Sequence, residues 1–402
     1  MANSVLTTDE ITREALRVLH QKLNFVGNIV RDYDDSFASS GAKIGNTLRV
    51  RAPIQYTSGS GATIATGTTA DTLENSITLT VNSQKWVPMR FTSNEMTMKI
   101  DEFSSRHVEP AMAVLAAKIE ADALSLTKGV YNMVAAGTKV EFADIMSGRK
   151  ALVDNLAPAN DRVALLDTQA NSDLVNELKG LFQDSEAIKK QYKEGMMGRT
   201  GSFDFYENTL LSAHTTGAEG GGAVYDVNGN QSHTYTKINE ATLAVVTGTK
   251  TIKAGDTFTI ANVYRVHPET KVSTGVLQKF VVRTDHGGGA GTLDISPGIV
   301  ITGPYQNCSA QAATGAAITF DGAASTAYNQ SLLFQKGFAC FATADLILPK
   351  NVMQASRQVY DGISMRLVQD YDVVKDRIYT RLDVLYGYRM LRPQLACKVL
   401  HT

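Results

Sequence analysis

The first third of the chain combines three parts that seldom follow one another in a globular enzyme. An amphipathic helix is predicted from Thr8 to about Leu23, a long two-stranded arm over residues 43–92, and an apolar-striped helix from about Phe103 to Ala136. An arm and an isolated long helix bury little surface against their own chain, so much of their apolar surface must meet other molecules. This order of parts predicts a subunit of a larger assembly.

Composition indicates a folded chain and argues against a nucleic-acid binder. The 402 residues are 43% hydrophobic and 20% charged, which suffices for a sizeable core in roughly two or three domains. The 39 Lys and Arg residues balance 40 Asp and Glu residues without a basic block, so tight phosphate binding is not expected. No secretion signal and no membrane-length apolar run is present, which predicts an intracellular, soluble product without membrane contact.

The N-terminal helix has two possible uses. Ile11, Ala15, Val18 and Leu19 recur at helical spacing and form one apolar stripe, while charged residues occupy other positions around the cylinder. Such a stripe can dock on the chain's own core or serve a partner. The sequence leaves both alternatives open.

The predicted arm is a hairpin with a polar tip. Residues alternate between apolar and polar in Thr47–Arg51, Ser76–Val81 and Val87–Phe91, which predicts two long strands. Strands of about ten residues would project about 33 Å. The intervening Thr57–Glu74 is rich in Ser, Gly, Thr and Ala, so we expect it to become ordered only on a neighbouring subunit. Candidate charged contacts of the arm, each of which could instead simply be solvated, are Arg49, Arg51, Asp71 and Glu74.

The rest of the chain changes character twice. A mixed α/β section is followed, from Ala223 to about Ala342, by a Thr-, Val- and Gly-rich all-β section with repeated turn signals, as in a small barrel or sandwich. A helix-sized segment is expected after Pro349, before two closing strands. The α/β elements expected before this section are a helix near Phe142–Asn155, a strand at Arg162–Leu166, a helix near Ser172–Phe182 and a strand at Ser202–Tyr206.

Sequence motifs for catalysis or metal binding are fragmentary. His286 and the three glycines after it resemble the oxyanion loop of some lipases, but no GxSxG nucleophile motif accompanies them, and a glycine turn explains them better. His107, His267 and His286 lack metal-ligand spacing, and no phosphate-binding glycine loop occurs. The three cysteines are far apart without CxxC spacing, which predicts buried free thiols. We therefore expect no catalytic, cofactor or metal site.

Several runs resemble the coat protein family of the short-tailed phage P-twenty-two type. The likeness is close in the first third and looser in the all-β section. The runs that carry it are Ile11–Leu19, Asn24–Gly27, Tyr33–Ala38, Gly41–Gly45, Glu109–Ala113, Ile119–Leu124, Lys253–Ile260 and Val266–Thr270.

This resemblance implies an α+β chain with the Johnson fold of tailed-phage capsids (Hong Kong ninety-seven type). The implied parts are an N-terminal arm helix at 1–42, an E-loop hairpin at 43–92, a peripheral domain with its spine helix at 93–140, an axial domain at 141–222, an all-β insertion domain at 223–345, and a return to the axial and peripheral strands at 346–402. In this family the insertion domain supports subunit folding and contacts between capsomers.

The resemblance also implies the function and the partners. It implies a major capsid protein that self-assembles through pentamers and hexamers into an icosahedral shell around phage double-stranded DNA, without sequence-specific DNA binding. The implied partners are further copies of the chain, a scaffolding protein and a portal protein, and the implied location is the virion capsid, with assembly in the host cytoplasm. A β-rich surface adhesin and, less favoured, a hydrolase using His286 remain as alternatives.

Overall fold

The computed structural model describes residues 8–31, 47–51, 54–56, 76–92, 107–178, 199–219, 223–235, 240–360, 362–375 and 377–402. These residues fall into two compact units. The first contains the described residues of Met1–Arg49, Thr78–Ser125 and Ala339–Arg389, and the second contains those of Val50–Ile77, Leu126–Phe338 and Met390–Thr402.

Strands outnumber helices in the described ranges. The helices are α1 (Thr8–Lys22), α2 (Glu109–Leu124), α3 (Phe142–Asp154) and α4 (Thr168–Leu178). The strands are β1 (Thr47–Arg51), β2 (Ser76–Thr80), β3 (Ser83–Thr92), β4 (Met133–Ala135), β5 (Arg162–Leu166), β6 (Arg199–Thr200), β7 (Phe203–Glu207), β8 (His214–Thr215), β9 (Ala223–Val227), β10 (Ala241–Val246), β11 (Thr257–Val266), β12 (Ser273–Val282), β13 (Gly291–Ser296), β14 (Ala317–Phe320), β15 (Ala327–Gln335), β16 (Ala339–Ala344), β17 (Gln354–Tyr360), β18 (Ile363–Asp372), β19 (Arg377–Met390) and β20 (Ala396–His401).

The first unit packs two helices against a five-stranded sheet. Its strand order is β16-β19-β18-β17, and β3 also pairs with β19. Helices α1 and α2 contact each other, α1 contacts β17 and β18, and α2 contacts β3. Along β18 and β19, one phase of the alternation is buried, as at Met365, Leu367, Leu382 and Val384. This face forms the core of the unit because apolar residues two apart on a strand share one side.

The long helix is shorter than predicted. Helix α2 has 16 residues, about 24 Å at 1.5 Å per residue, and a 3-10 turn over Ser125–Gly129 follows it. The predicted helix to Ala136 is therefore wrong beyond this turn, and residues 103–106 lie outside the described residues. Apolar Val130 and Met133 continue the helical stripe in the sequence, but this stretch is buried beside β4, which pairs with β20. Sheet pairing with the end of the chain thus determines its structure.

The predicted arm is divided between two sheets. β1 and β2 pair as a two-stranded sheet. The third alternating run, Val87–Phe91, lies instead in β3, which pairs along its whole length with β19 from Ser83↔Tyr386 to Thr92↔Arg377. The assignment of this run to the hairpin was wrong because alternation identifies a strand but not its pairing partner. The tip, Thr57–Glu74, lies outside the described residues.

The helix-sized segment expected after Pro349 is a strand. Residues 354–360 form β17, which pairs antiparallel with β18 from Gln354↔Gln369 to Tyr360↔Ile363. Helix α1 packs on this strand, and the buried Ser356 donates a hydrogen bond to Asp9 of the helix. Burial against helix α1, which lies near the start of the chain, explains why a short segment without clear periodicity became a strand.

The second unit begins with a seven-stranded mixed sheet. Its order is β4-β20-β15-β5-β7-β6, with β8 pairing to β15. Helix α3 packs against β4, β15 and β20, and α4 contacts α3. The predicted strand Arg162–Leu166 is present as β5 and is buried throughout. Helix α4 starts four residues earlier than predicted, and the second half of that prediction, from 179, lies outside the described residues.

The predicted all-β section contains a closed barrel in the order β10-β13-β12-β11-β14-β9. Its interior is filled by aromatic and aliphatic residues, including Tyr225, Phe258, Phe280 and Phe320. The last barrel strand ends at Phe320, earlier than the predicted boundary at 345, because β15 and β16 belong to the other two sheets. The three cysteines are free and buried, as predicted.

Candidate assembly surfaces

The N-terminal helix uses its apolar stripe within its own unit. Ile11, Ala15 and Leu19 are buried. A carboxylate from α2 fixes the segment that follows, because the buried Glu120 accepts hydrogen bonds from the backbone N–H of Phe25 at 2.9 and 3.1 Å and of Val26 at 3.2 Å. Of the two alternatives left open by the sequence, the structure shows docking on the chain's own core.

The four candidate arm contacts are not brought together among the described residues. Arg49 lies exposed on β1, and Arg51 ends that strand. Asp71 and Glu74 lie outside the described residues. The apolar phase of β2, at Ile77 and Leu79, is buried. A partner for these four charges therefore stays a prediction.

An exposed face of the five-stranded sheet combines aromatic rings with arginines. One cross-strand row runs Trp86↔Asp383↔Arg366 from β3 across β19 to β18. Next to it on the same face, Arg381 and Tyr379 of β19 lie opposite Pro88 and Arg90 of β3. Trp86, the only tryptophan of the chain, is 53% exposed. We call Trp86, Arg90, Arg366, Tyr379 and Arg381 the arginine face.

The arginine face carries an excess of positive charge around one buried carboxylate. Asp383 is fully buried and accepts hydrogen bonds from Arg366 Nη2 and Arg381 Nε, both at 2.7 Å. The Arg381 guanidinium also lies 5.1 Å from the centroid of the Trp86 ring, within the range of a cation–π interaction. Two arginines share one carboxylate, so the face can attract a further anion.

Sequence reasoning missed the arginine face, although one signal pointed to it. Within β3, Trp86 shares the alternation phase of Gln84, Pro88 and Arg90, and not the phase of the apolar Val87. A large aromatic on the polar side of a half-buried strand is a candidate contact residue. The partner strands β18 and β19 could not be assigned to it from the sequence.

The tip between β18 and β19 is a second apolar surface. Val373 and Val374 are 79% and 91% exposed, and they occupy a turn where Gly, Asn and Asp are usually favoured. Tyr371 and Tyr379 beside it are also partly exposed. Exposed apolar turns of this kind are typical of contacts between molecules.

The histidine loop has a structural role. His286 forms an isolated bridge with Ile252, its Nε2 lies 3.0 Å from the Gly289 carbonyl oxygen, and its ring meets Tyr225 edge-on at 6.0 Å. These contacts hold a turn between barrel strands. His267 likewise accepts hydrogen bonds at Nδ1 from the backbone N–H of Glu269 and Thr270.

Two further properties bear on possible ligands and location. Among the residues that the structure describes, no group of three or more His, Cys, Asp or Glu residues could hold a metal ion. None of the helices in the described ranges combines the length and the apolar character needed to span a membrane.

Comparison with known proteins gives one family match and several solved structures. The family model described as "P22 coat protein - gene protein 5" matches residues 21–400. No curated protein matches the sequence significantly. The head structure of Helicobacter pylori bacteriophage KHP40 is 10% identical, with 100% of this chain and 94% of that chain covered and a TM-score of 0.44. A Mycobacterium phage Che8 structure is 10% identical, covering 89% and 85%, with a TM-score of 0.43. The CUS-3 coat protein I-domain is 32% identical over 25% of this chain and 97% of that chain, with a TM-score of 0.20.

The family match decides between the functional alternatives. It covers nearly the whole chain and confirms the resemblance seen in the sequence, together with the predicted α+β capsid fold and its inserted barrel. A coat protein is a structural protein and not an enzyme, so the match supports neither the hydrolase nor the adhesin alternative. The chain belongs to the P22 coat protein family and is a major capsid protein that assembles with its own copies into the icosahedral shell of a phage virion.

Proposed function

We propose that the shell grows from pentamers and hexamers in which the arm of one subunit lies on the arginine face of the next. Contacts between unlike surfaces of identical subunits close into rings when the rotation between neighbours allows it. Many modest contacts then act together, which gives a durable shell while single contacts remain reversible. The exposed arginine face is the observation that carries this proposal, because Trp86 is 53% exposed beside Arg381, one of the two arginines that share a single carboxylate.

Charge complementarity supports the arm as the occupant. Residues 57–75 contain Asp71 and Glu74 and no Lys or Arg. On the arginine face, Arg366 and Arg381 share a single carboxylate. One exposed ion pair contributes only about 0 to 1 kcal/mol, so the contact gains its strength from repetition around the shell. Arg49 and Arg51 at the base of the arm remain candidate contacts to the same neighbour.

The parts of the chain correspond, in this proposal, to five of the six divisions expected from the resemblance. Helix α1 corresponds to the N-terminal arm, β1 and β2 to the base of the E-loop, and α2 to the spine. The seven-stranded sheet corresponds to the axial domain and the barrel to the insertion domain.

A scaffolding protein, a portal protein and packaged double-stranded DNA complete the proposed assembly, which forms in the host cytoplasm. The near-neutral net charge of the chain supports a shell that encloses DNA without binding it tightly, since DNA affinity rises with the number of phosphates that the protein neutralises. The proposal therefore includes no sequence-specific DNA contact.

The arm is tested by assembly of the full chain co-expressed with a scaffolding protein. Deletion of residues 58–73 and Trp86→Ala are both expected to leave folded subunits and to abolish or strongly reduce shells. Tyr360→Ala, which removes an exposed aromatic from β17 of the same sheet, is the matched control and is expected to assemble normally. Circular dichroism checks folding, while sedimentation velocity and negative-stain electron microscopy count shells. Normal shells from both test variants would contradict the proposal.

A charge exchange tests the pairing itself. Arg90→Glu is expected to lower the shell yield by introducing repulsion against the acidic arm, and adding Asp71→Lys with Glu74→Lys is expected to restore it. Restoration distinguishes a direct contact from a general effect of charge. If the triple variant assembles no better than Arg90→Glu alone, the arm binds elsewhere.

A further inference from the structure

A fully buried lysine lies on the second strand of the seven-stranded sheet. Lys398 belongs to β20, which is flanked by β4 and β15. The preceding Cys397 faces α3, since a Cβ built on Gly148 of that helix would lie 3.8 Å from its Sγ. Successive side chains of a strand point to opposite faces. Lys398 therefore points to the face opposite α3, where its Nζ donates a 2.6 Å hydrogen bond to the carbonyl oxygen of Gly255.

The acceptor of this bond belongs to a barrel turn organised by Asp256. One carboxylate oxygen lies 2.8 Å from His214 Nε2, and the other accepts hydrogen bonds from the backbone N–H of Gly217 at 3.0 Å and of Lys253 at 2.8 Å. Asp256 and His214 are each only 5% exposed. The carboxylate thus joins the barrel turn to the segment that leads from the sheet into the barrel.

The two chain segments between sheet and barrel are paired with each other. We call residues 214–217 and 323–328 the neck. Within it, β8 pairs with β15, the Ser325 N–H donates to the Gly217 carbonyl at 2.9 Å, and the Thr216 hydroxyl donates to the Ala323 carbonyl at 2.6 Å. A Cβ on Gly217 would lie 2.4 Å from the Thr251 carbonyl oxygen, so the barrel backbone is in direct contact with the neck.

The barrel supplies the groups that make the buried ammonium tolerable. Burial lowers the pKa of Lys398 to about 8, and the negative charges of Asp256 and Asp321 oppose this shift, while Lys279 adds to it. Asp321 is itself bonded to Lys279 at 2.9 and 3.0 Å, whereas Asp256 directly follows Gly255, the residue whose carbonyl oxygen Lys398 contacts. Near neutral pH the amine is therefore mainly charged and depends on the turn 253–256.

We propose that Lys398 and Asp256 form a charge lock that lets the seven-stranded sheet accept the barrel in a single orientation. An apolar residue at this position would accept any apolar surface. A lysine instead disfavours arrangements that lack a carbonyl oxygen at its tip and a nearby anion, because an uncompensated buried charge is strongly unfavourable. The last strand of the chain and the placement of the barrel are then coupled within one subunit, independently of shell contacts.

A double-mutant cycle in the full chain tests the charge lock. Asp256→Asn removes this anion but keeps an acceptor for the two N–H groups, and it leaves Lys398 with only Asp321, which is already bonded to Lys279, as a counter-charge. Hydrogen exchange in β20 and the neck is expected to become about 100-fold faster, as for a broken buried pair. Lys398→Met alone is expected to leave it unchanged or slower, since replacing buried ionic groups by apolar ones is neutral or stabilising. The double variant is expected to recover at least about tenfold relative to Asp256→Asn.

Controls separate local opening from general loss of structure. Lys139→Met removes the same charge from an exposed position and is expected to have no effect, and exchange in β11 and β12 is expected to stay slow in every variant. An equal effect of Asp256→Asn with lysine or methionine at 398 overturns the proposal. If Asp256→Asn does not fold, folding of the double variant supports the lock, and failure of both overturns it. These readings use monomers, so they do not depend on whether the arm proposal holds.

Discussion

The carboxylate of Glu120 is expected to hold the N-terminal segment on the first unit. It is 1% exposed and accepts hydrogen bonds from the backbone N–H groups of Phe25 and Val26, both buried. Replacing Glu120 by Ala leaves two buried donors without this acceptor. At about 1.5 kcal/mol for each bond to a charged group, local opening of the segment becomes easier by about 3 kcal/mol.

Hydrogen exchange followed by mass spectrometry gives the direct assay. A change of about 3 kcal/mol corresponds to exchange on the order of 100-fold faster in peptides covering α1 and residues 25–29. Glu120→Gln keeps one carbonyl oxygen and is expected to show a smaller increase. Lys118→Ala, at an exposed position of the same helix, is the control and is expected to change little. Less than threefold faster exchange in Glu120→Ala would refute the reasoning, because the bonds would then contribute nothing net.

Two further predictions concern pH. The folded-state pKa of Lys398, about 8, lies below its ordinary value of 10.5, so its penalty disappears as the amine deprotonates. The contribution of Lys398 to the free energy of unfolding should rise by about 3 kcal/mol between pH 8 and 10.5. Urea unfolding at several pH values measures this rise, and the Lys398→Met variant should lack it. Burial opposes ionisation of Asp167, but His401, whose Nε2 lies 3.4 Å from the carboxylate, and hydrogen bonds from Ser331 and a backbone amide lower its pKa below 3.8. The contribution of Asp167 to the free energy of unfolding is complete above its unfolded-state pKa and is lost as the pH falls through its lower folded-state pKa. His401→Phe should reduce this acid sensitivity, and an unchanged profile from pH 5 to 2 would contradict the assignment.

The hydrophobic pattern of the sequence predicted those helices and strands whose buried residues follow the period of the element itself. The stripe of α1 recurs at helical spacing and is buried, as at Ala15. The apolar run of β5 is buried on both faces. In each case the hydrophobic period matches one type of secondary structure, so no distant information is needed.

The errors occurred where a distant segment decides the structure. The apolar stripe of α2 continues beyond the helix, but Met133 pairs with Lys398 of the last strand. β17 lacks clear periodicity, yet it packs against helix α1, where Asp9 accepts a hydrogen bond from Ser356, 347 positions later in the chain. Strand pairing is set by contacts far apart in sequence, whereas helical bonds lie within the segment, so sequence patterns identify helices more directly than strand partners.

For the arginine face and the charge lock as well, the sequence determined one part and the tertiary structure the other. The sequence alone determined the family, through runs such as Ile119–Leu124 that lie in one continuous segment. It also determined the alternation that places Trp86 on the outward side of β3. Only the tertiary structure put Arg381 beside that ring, and only it joined Lys398 to Gly255, 143 positions earlier in the chain. A single charged residue in an apolar run does not reveal its partner, because the Coulomb and hydrogen-bonding terms that favour it depend on distances that folding alone creates.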